Sequence, residues 1–335
     1  MENYLYYITK KKLIKKYPIL VSIPTCNNCG ITRKTLKKIY KQQGIDFDIL
    51  IIDNNSEDYL KLVQDFPNLN YVLLKENTGN SGAQRIAMEL ALKHEYKYIV
   101  CTDNDAFLTQ NDGLKKLYDK LINNASIDCA SANHCDNLIN EDIFCKKQLP
   151  FHYLFIKCSF LKKIELHNFY IFLVAEDVAF TSKIVSEGKL LLCHNITYYH
   201  DAFKPKFIQN STIYFGIRGF LIILFYEKNI KFSLKFYHFL HLFYYPALAF
   251  CHSLILKDAS YLQTVFLAIW NFFINYKKIY AEKIQKNKYA LVESKKSLPN
   301  AIPMTTFNSL FIRKEYYWYS NYFKKKQFYK LQKNI

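Results

Sequence analysis

Acidic residues are scarce in this chain. Its 335 residues include 28 Asp and Glu against 46 Lys and Arg, a formal net charge of +18 at pH 7. An excess of that size calls for an anionic partner: nucleic acid, a phosphate-bearing ligand or an anionic membrane surface. No nucleic-acid recognition motif accompanies the charge, which excludes nucleic acid as the partner. Part of the lysine excess is compositional, since Lys, Asn, Ile, Tyr and Phe are abundant together. Glycine is also scarce, with 8 in the chain and one in VSIPTCNNCG, residues 21–30. That excludes a glycine-rich phosphate cradle in this first loop. Cys26-x-x-Cys29 has no second CxxC pair to match it, which excludes a four-cysteine zinc site. The 9 cysteines are an odd count with irregular spacing, and Cys101, Cys193 and Cys251 sit inside apolar runs. They read as reduced thiols in a cytoplasmic interior, packing as small hydrophobes. The start, MENYLYYITKKKLIKKYPILVSIPT, has no small-residue cleavage site and only a short apolar stretch, so it does not read as a signal peptide. There are no internal repeats.

What is present is a core. Half of the residues are apolar, and from Pro18 to about Asp201 short apolar runs alternate with amphipathic stretches. Ile19 to Pro24 reads as a strand. After Gly30, ITRKTLKKIYKQQ places Leu36, Ile39 and Tyr40 on one helical face, with Gly44 as a C-terminal stop. DFDILIID (46–53) is a second strand, and Ser56-Glu57-Asp58 opens a helix with a cap residue and first-turn acids. NYVLL (70–74) is a third strand. From Ser81, Ala83, Ile86, Ala87, Leu90 and Ala91 form a helical stripe, and YKYIVCT (96–102) is a fourth strand. Strand and helix in alternation predict an α/β fold, a mostly parallel sheet flanked by helices. Ligands bind such sheets beyond the carboxyl ends of the strands. Thr25, the Asp53-Asn54-Asn55 run, Asp103 and Asp105 all fall there.

Two carboxylates one residue apart, in TDNDAF (102–107), suit a hard divalent cation bridging to phosphates; the alternative is a turn built from good turn formers. AEDVAFTSKIVSEG (175–188) puts Glu176 and Asp177 at the start of a helix ending near Gly188. An acid there is either a helix-dipole partner or a general base on a rigid element. LLLCHNITYYHD (190–201) reads as a strand ending in His200, whose imidazole could complete a metal site or lie at the surface. ENTGNSGAQR (76–85) is a turn entering a helix with Arg85 in its first turns, suited to phosphate or sugar hydroxyls. His134-Cys135-Asp136 receives no role.

Beyond Asp201 aromatic and aliphatic residues alternate with lysines. FYHFLHLFYYPALAFCHSLIL (236–256) contains no Asp, Glu, Lys or Arg, and YLQTVFLAIWNFFINY (261–276) is a second such stretch. Each approaches the length of a membrane span, but three histidines and a proline interrupt the first, and the second is short. Lysine and aromatic flanks fit helices lying in the headgroup plane better. RKEYYWYSNYFKKKQFYKLQK (313–333) mixes aromatics with basic charge and suits an anionic lipid surface.

The order VSIPTCNN, LIIDNNSED, ENTGNSGAQR, CTDNDAFL, AEDVAF and a strand ending in His200 resembles the family 2 glycosyltransferases, which have the GT-A fold. The resemblance covers roughly residues 18–205 and looks nearest to the rhamnosyl- and galactofuranosyltransferase-like enzymes of bacterial surface glycans. It implies an inverting, metal-dependent transfer of a sugar from a UDP- or dTDP-sugar donor to a surface glycan or a lipid-linked glycan acceptor. By position, Thr25 and Asp53 match residues that hold the base and ribose, with Asn55 in the same loop. Asn77 and Arg85 match the loop and helix that approach the diphosphate and donor sugar. Asp103 and Asp105 fill the DXD motif that grips Mn²⁺ or Mg²⁺, and His200 matches a histidine that joins the metal. Asp177 matches the catalytic base, with Glu176 beside it as a donor- or acceptor-hydroxyl ligand. There are departures: Cys26-Asn27-Asn28-Cys29 stands where relatives carry Asn-Arg, and Arg218-Gly219 where they carry Arg-Asn. The expected organisation is a basic lead (1–17), a GT-A catalytic domain (18–205) and a helical region (206–335) that docks on the inner face of the cell membrane and can pair with a second copy. Two alternatives stand beside this reading: a non-catalytic membrane-bound scaffold with a degenerate GT-A domain, and a sugar nucleotidyltransferase, which would want the glycine-rich first loop that is missing.

Overall fold

The structure is a computed structural model that describes residues 5–7 and 13–274, apart from 67, 68, 75, 76, 138, 148, 150, 151, 168–170, 202–208 and 228. The basic aromatic stretch 313–333 and the end of the second apolar stretch lie outside the described residues. The centre is a 10-stranded sheet. Six strands share one direction: β2 (Ile19–Thr25), β3 (Asp48–Asp53), β4 (Asn70–Leu74), β5 (Tyr98–Cys101), β7 (Cys129–His134) and β10 (Leu190–His200). Running against them are β1 (Leu5–Tyr7), β6 (Ala106–Leu108), β8 (Ile143–Phe144) and β9 (Leu154–Lys157). The order is β1-β4-β3-β2-β5-β9-β7-β10-β6, with β8 also on β10. The sheet is mostly parallel, as expected, with one addition: β1, from the basic lead, pairs along the outer edge of β4.

The central strands are apolar without alternation (ILVSIPT, DILIID) because both their faces are covered. Successive side chains serve different cores. Ile19, Val21 and Ile23 pack with α1 (Cys29–Ile39), α2 (Tyr59–Asp65) and α4 (Gly113–Ile122), while Leu20, Leu50 and Ile52 face α3 (Gly79–Lys93) and α6 (Glu176–Glu187). α7 (Asn210–Tyr226) is packed into that second core, with Phe215 stacked on Phe172 at 5.0 Å.

α8 (Phe232–Leu256) rides on α7 by a narrow stripe. Leu234, His238 and Ala249 are buried, and Tyr245 lies over Gly216, where a Cβ would come within 2.6 Å of the ring. Its other face carries Phe236, Phe239, Phe243 and Leu254, all exposed. α8 has 25 residues, a mean hydropathy of 1.5 and 6% of its most apolar window buried, so it is long and apolar enough to cross a membrane. α9 (Ser260–Ile274) is a shorter apolar helix with Phe266, Trp270 and Phe273 exposed.

Three local expectations are corrected. Tyr40 is not on the buried stripe of α1: that stripe is Thr32, Thr35, Leu36 and Ile39, and Tyr40 is 52% exposed beside Phe66. α1 ends at Ile39, ahead of Gly44, which occupies a left-handed position (φ 76°) in the following loop. Ser56 and Asp58 make no cap bond to their own helix. Ser56 Oγ accepts from Asn27 N (2.7 Å) and Asp58 Oδ2 from Cys29 N (3.0 Å), so they brace the loop that leads into α1.

Under α6 the ammonium of Lys183 is fully buried, 2.9 Å from Glu227 Oε2 and 3.6 Å from Glu165 Oε2. A buried charge tolerates burial only while paired. Lys183→Met is expected to destabilise the protein by about 3–5 kcal/mol, read as a lower urea midpoint. The double variant Lys183→Met, Glu227→Leu is expected to recover most of that loss.

Candidate active site

The cleft lies at the carboxyl edge of the sheet, and the loop after β5 is its floor. The middle residue of Asp103-Asn104-Asp105 is the anchor. Asn104 Nδ2 donates to Thr25 Oγ1 (3.2 Å) and Thr32 Oγ1 (3.1 Å), and its carbonyl accepts from Thr35 Oγ1 (2.6 Å). With Asn104 tied to β2 and α1, the flanking carboxylates are left for other partners. Asp105 Oδ1 lies 3.1 Å from His200 Nε2, and Asp103 Oδ2 lies 3.3 Å from His152 Nδ1. The strand register makes the first contact: β10 pairs antiparallel with β6 so that His200 faces Ala106, and Asp201 N donates to Asp105 O at 2.8 Å.

One atom each from Asp103, His152 and His200 lie within 4.8 Å of one another, a donor set of the kind that holds a divalent transition ion. The buried Nδ1 of His152 makes no hydrogen bond among the described residues, so the residues present fit such an ion. Burial, then the neighbouring Asp105, pushes the Asp103 carboxyl up to about 7. Burial acts the same way on Asp105, but the hydrogen bond and charge of His200 outweigh it and hold this carboxyl below its ordinary range. Burial and the charge of His200 push His152 down to about 3, which leaves its ring neutral at pH 7.

The second acid pair stands at the N-terminus of α6. Glu176 is buried, with Oε1 accepting from Asn80 Nδ2 (3.0 Å) and Oε2 facing no donor among the described residues. Asn80 Nδ2 also lies 3.5 Å from Asp103 Oδ1, so one amide at the start of α3 links the two acid groups. Asp177 accepts from Val178 N (2.7 Å). Burial raises the pKa of both carboxyls, Glu176 further by the adjacent Asp177.

The remaining candidates spread along the β2–β4 side. Thr25 and Asp53 are buried braces. Thr25 Oγ1 meets Thr32 Oγ1 (2.7 Å), and Asp53 accepts from Ser56 N (2.7 Å) and from the Tyr71 hydroxyl. Asn55 sits in the same loop with φ 63° and its side chain outward. Asn77 Nδ2 approaches Cys26 Sγ (3.5 Å), while its Oδ1 accepts from Gly79 N (2.9 Å). Arg85 reaches Glu89 (2.9 Å) and the carbonyl of His167 (2.9 Å), one turn and more beyond the start of α3. The structure therefore brings Asp103, Asp105, Glu176, Asp177 and His200 together, with Asn77 at the margin. Sequence reasoning missed Asn80, Asn104 and His152. It placed Asn54 at the site edge without a role; its side chain bonds Thr78 N, Thr78 Oγ1 and Gly79 O across the β3–α3 gap.

Residues 20–173 match the family model for glycosyl transferase family 2. That match covers a little under half of the 335-residue chain. No curated protein sequence matches the chain. Among solved structures, residues 1–349 of TarS from S. aureus in complex with UDP-GlcNAc align with a TM-score of 0.52 at 16% identity, covering 80% of this chain and 91% of that one. A longer S. aureus TarS structure aligns with a TM-score of 0.51 at 17% identity, covering 67% of this chain, which spans 42% of that structure. The mannosyltransferase PcManGT from Pyrobaculum calidifontis, in complex with GDP-Man and Mn²⁺, gives 0.50 at 14% identity, covering 89% of this chain and 91% of that one. At such identities the likeness establishes the fold, which is GT-A.

The raised acids have a thermodynamic consequence. An unfolded Glu ionises near ~4.3, whereas buried Glu176 keeps its proton to higher pH. Across that window the folded state holds more protons than the unfolded one, so stability falls as pH rises. In metal-free buffer, Glu176→Gln is expected to flatten this decline and to be more stable than wild type at pH 8, by on the order of a kcal/mol or more. Urea melts at pH 4.5, 6 and 8 measure it.

Proposed function

We propose that the chain is an inverting glycosyltransferase that moves a sugar from a nucleoside-diphosphate donor, UDP- or dTDP-linked, to a bacterial surface glycan or its lipid-linked precursor. The observation that carries this reading is the meeting, at one sheet edge, of the Asp103–Asp105–His200 group with buried Glu176 and its half-buried neighbour Asp177, through Asn80. The GT-A structures that resemble the chain include complexes with UDP-GlcNAc and with GDP-Man and Mn²⁺, which supports a nucleotide-sugar as donor class.

Asp103, Asp105 and His200 would hold Mn²⁺ or Mg²⁺, which when bound neutralises charge on the diphosphate leaving group. Asp177 takes the proton from the acceptor hydroxyl as that oxygen bonds to the anomeric carbon from the face opposite the diphosphate. The carbon–oxygen bond to the diphosphate breaks, and the configuration inverts. A carboxyl with a pKa raised by burial is suited to this task near neutral pH. Glu176 offers its free Oε2 to a sugar hydroxyl. On the nucleotide side, Thr25 and Asp53 shape the base and ribose end as braces, Asn55 and Asn77 face the donor, and Arg85 supports the helix toward the donor sugar.

α8 and α9 present the apolar face that a peripheral enzyme lays on the cytoplasmic leaflet, where the net positive charge also draws it. That placement suits an acceptor carried on a lipid.

Two experiments test the reading. Purified protein with Mn²⁺ or Mg²⁺ is offered a panel of UDP-, dTDP- and GDP-sugars, with rhamnosyl and galactofuranosyl donors first. One donor is expected to turn over, and Asp177→Asn to lower the rate by about 10²–10⁴, with Asp105→Ala also strongly impaired. If no donor is consumed and no nucleotide raises the melting temperature in the presence of metal, the scaffold alternative takes its place. For the membrane, co-sedimentation with anionic vesicles is expected to drop sharply for Phe239→Glu, Phe243→Glu at unchanged melting temperature. Retention of vesicle binding by that variant would refute docking through α8.

A further inference from the structure

His152 is the residue of the cleft for which neither the motif nor the fold supplies a role. It stands two residues before β9, the strand that runs backwards between β5 and β7. Because β9 is reversed, its beginning, not its end, reaches the carboxyl edge where the aspartates lie. The position is fixed on both sides: Tyr153 OH donates to Ala106 O (3.1 Å), and the carbonyl of His152 faces Ser131 Oγ (3.5 Å). The ring is 7% exposed, packed at 4.2 Å from the ring of His200 and 5.0 Å from that of Tyr198. Among the described residues its Nδ1 has no hydrogen-bond partner, although Asp103 Oδ2 is 3.3 Å away. A buried ring nitrogen beside a carboxylate, without a hydrogen bond to it, is a group that a bound ion would satisfy.

We propose that His152 is a further ligand of the cation in this cleft, so that two imidazoles join the carboxylates, and that this nitrogen-rich set selects Mn²⁺ or a similar first-row transition ion over Mg²⁺. The 3.3 Å between His152 Nδ1 and Asp103 Oδ2 and the 3.1 Å between His200 Nε2 and Asp105 Oδ1 are close to the roughly 3 Å that separates neighbouring donors on a six-coordinate ion. Between His152 Nδ1 and Asp103 Oδ2, a pair with no hydrogen bond among the described residues, an ion would satisfy both lone pairs at once. Imidazole favours transition ions, whereas Mg²⁺ prefers oxygen and keeps its waters.

The inference rests on the reading of the cleft as a cation-assisted donor site, but its test needs no donor. Mn²⁺ alone is titrated into the full chain, free of nucleotide, and followed by electron paramagnetic resonance, with spin-echo modulation reporting ¹⁴N nuclei bound to the ion. Two coupled imidazole nitrogens are expected in the wild type and one in His152→Gln, with Mn²⁺ affinity lowered about tenfold or more. Mg²⁺ is expected to compete at least about tenfold more weakly than Mn²⁺ for the wild type. His194→Gln, a partly exposed histidine paired with Asp142, is expected to match the wild type. A single coupled nitrogen in the wild type, an unchanged signal in His152→Gln, or equal competition by Mg²⁺ would overturn the proposal. If His152→Gln fails to fold, by its melting curve in the absence of metal, His200→Gln answers the same question, since one nitrogen must then remain. Two nitrogens without turnover of any donor would refute the transferase reading alone, and turnover with a single nitrogen would refute this one alone.

Discussion

A three-residue antiparallel pairing holds the cleft together: Tyr198, Tyr199 and His200 of β10 against Leu108, Phe107 and Ala106 of β6. β10 begins as the parallel partner of β7, shifts register between Cys193 and Thr197, and resumes beside Asn133 and His134 while its other edge takes β6. That irregularity lets one strand serve both the body of the sheet and the loop leaving β5. Without it, Asp105 and His200, 95 positions apart, would have no reason to meet. A one-residue slip would send His200 to the other face of the sheet. Thr109 and Gln110 continue the lock with bonds to Thr197, so the register is held by side chains as well as by the ladder.

The electrostatics follow from what the register gathers. Burial makes Asp103, Glu176 and Asp177 all hold their protons above the ordinary range, and neighbouring carboxylates add to it for Asp103 and Glu176. Asp105 alone goes the other way, because His200 is hydrogen-bonded to it. A site poised in this manner is unstable by itself and depends on rigid support. That support comes from uncharged amides. Asn104 ties the floor to α1, Asn80 spans from α3 to Glu176, and Asn54 joins β3 to the start of α3. Amides can brace such a cleft without adding to its charge.

Much of this was legible in the sequence, and the rest was not, for identifiable reasons. The parallel strands showed because both their faces are buried, leaving uninterrupted apolar runs. The acids showed because they fall where those runs stop. The braces did not show: an Asn in a loop looks the same whether it faces solvent or spans two helices, and only the fold decides. Ser56 and Asp58 have the composition of a helix cap, yet their side chains serve the neighbouring loop, because local preference for a cap was overridden by a tertiary partner at Cys29 and Asn27. His152 was hidden most thoroughly. A reversed strand puts its beginning at the functional edge, in a stretch with no pattern to mark it, and the rule that looks to the ends of strands passes over it.

The C-terminal helices connect this cleft to the outer surface. Tyr245 lies on the inner side of α8, half-buried over Gly216 and close enough to Asp177 and Glu176 for their charge to add to the effect of burial on its hydroxyl. The opposite side of the same helix is a row of exposed aromatic and aliphatic residues. One helix thickness therefore separates the acid at the head of α6 from a surface that water covers poorly. On the transferase reading, an acceptor hydroxyl carried on a lipid needs little travel to reach Asp177 once α8 lies in the headgroup plane. α7 is packed into the core beneath α8 with most of its residues buried, so on the same reading a contact made by α8 at a membrane would bear on a helix firmly attached to the cleft.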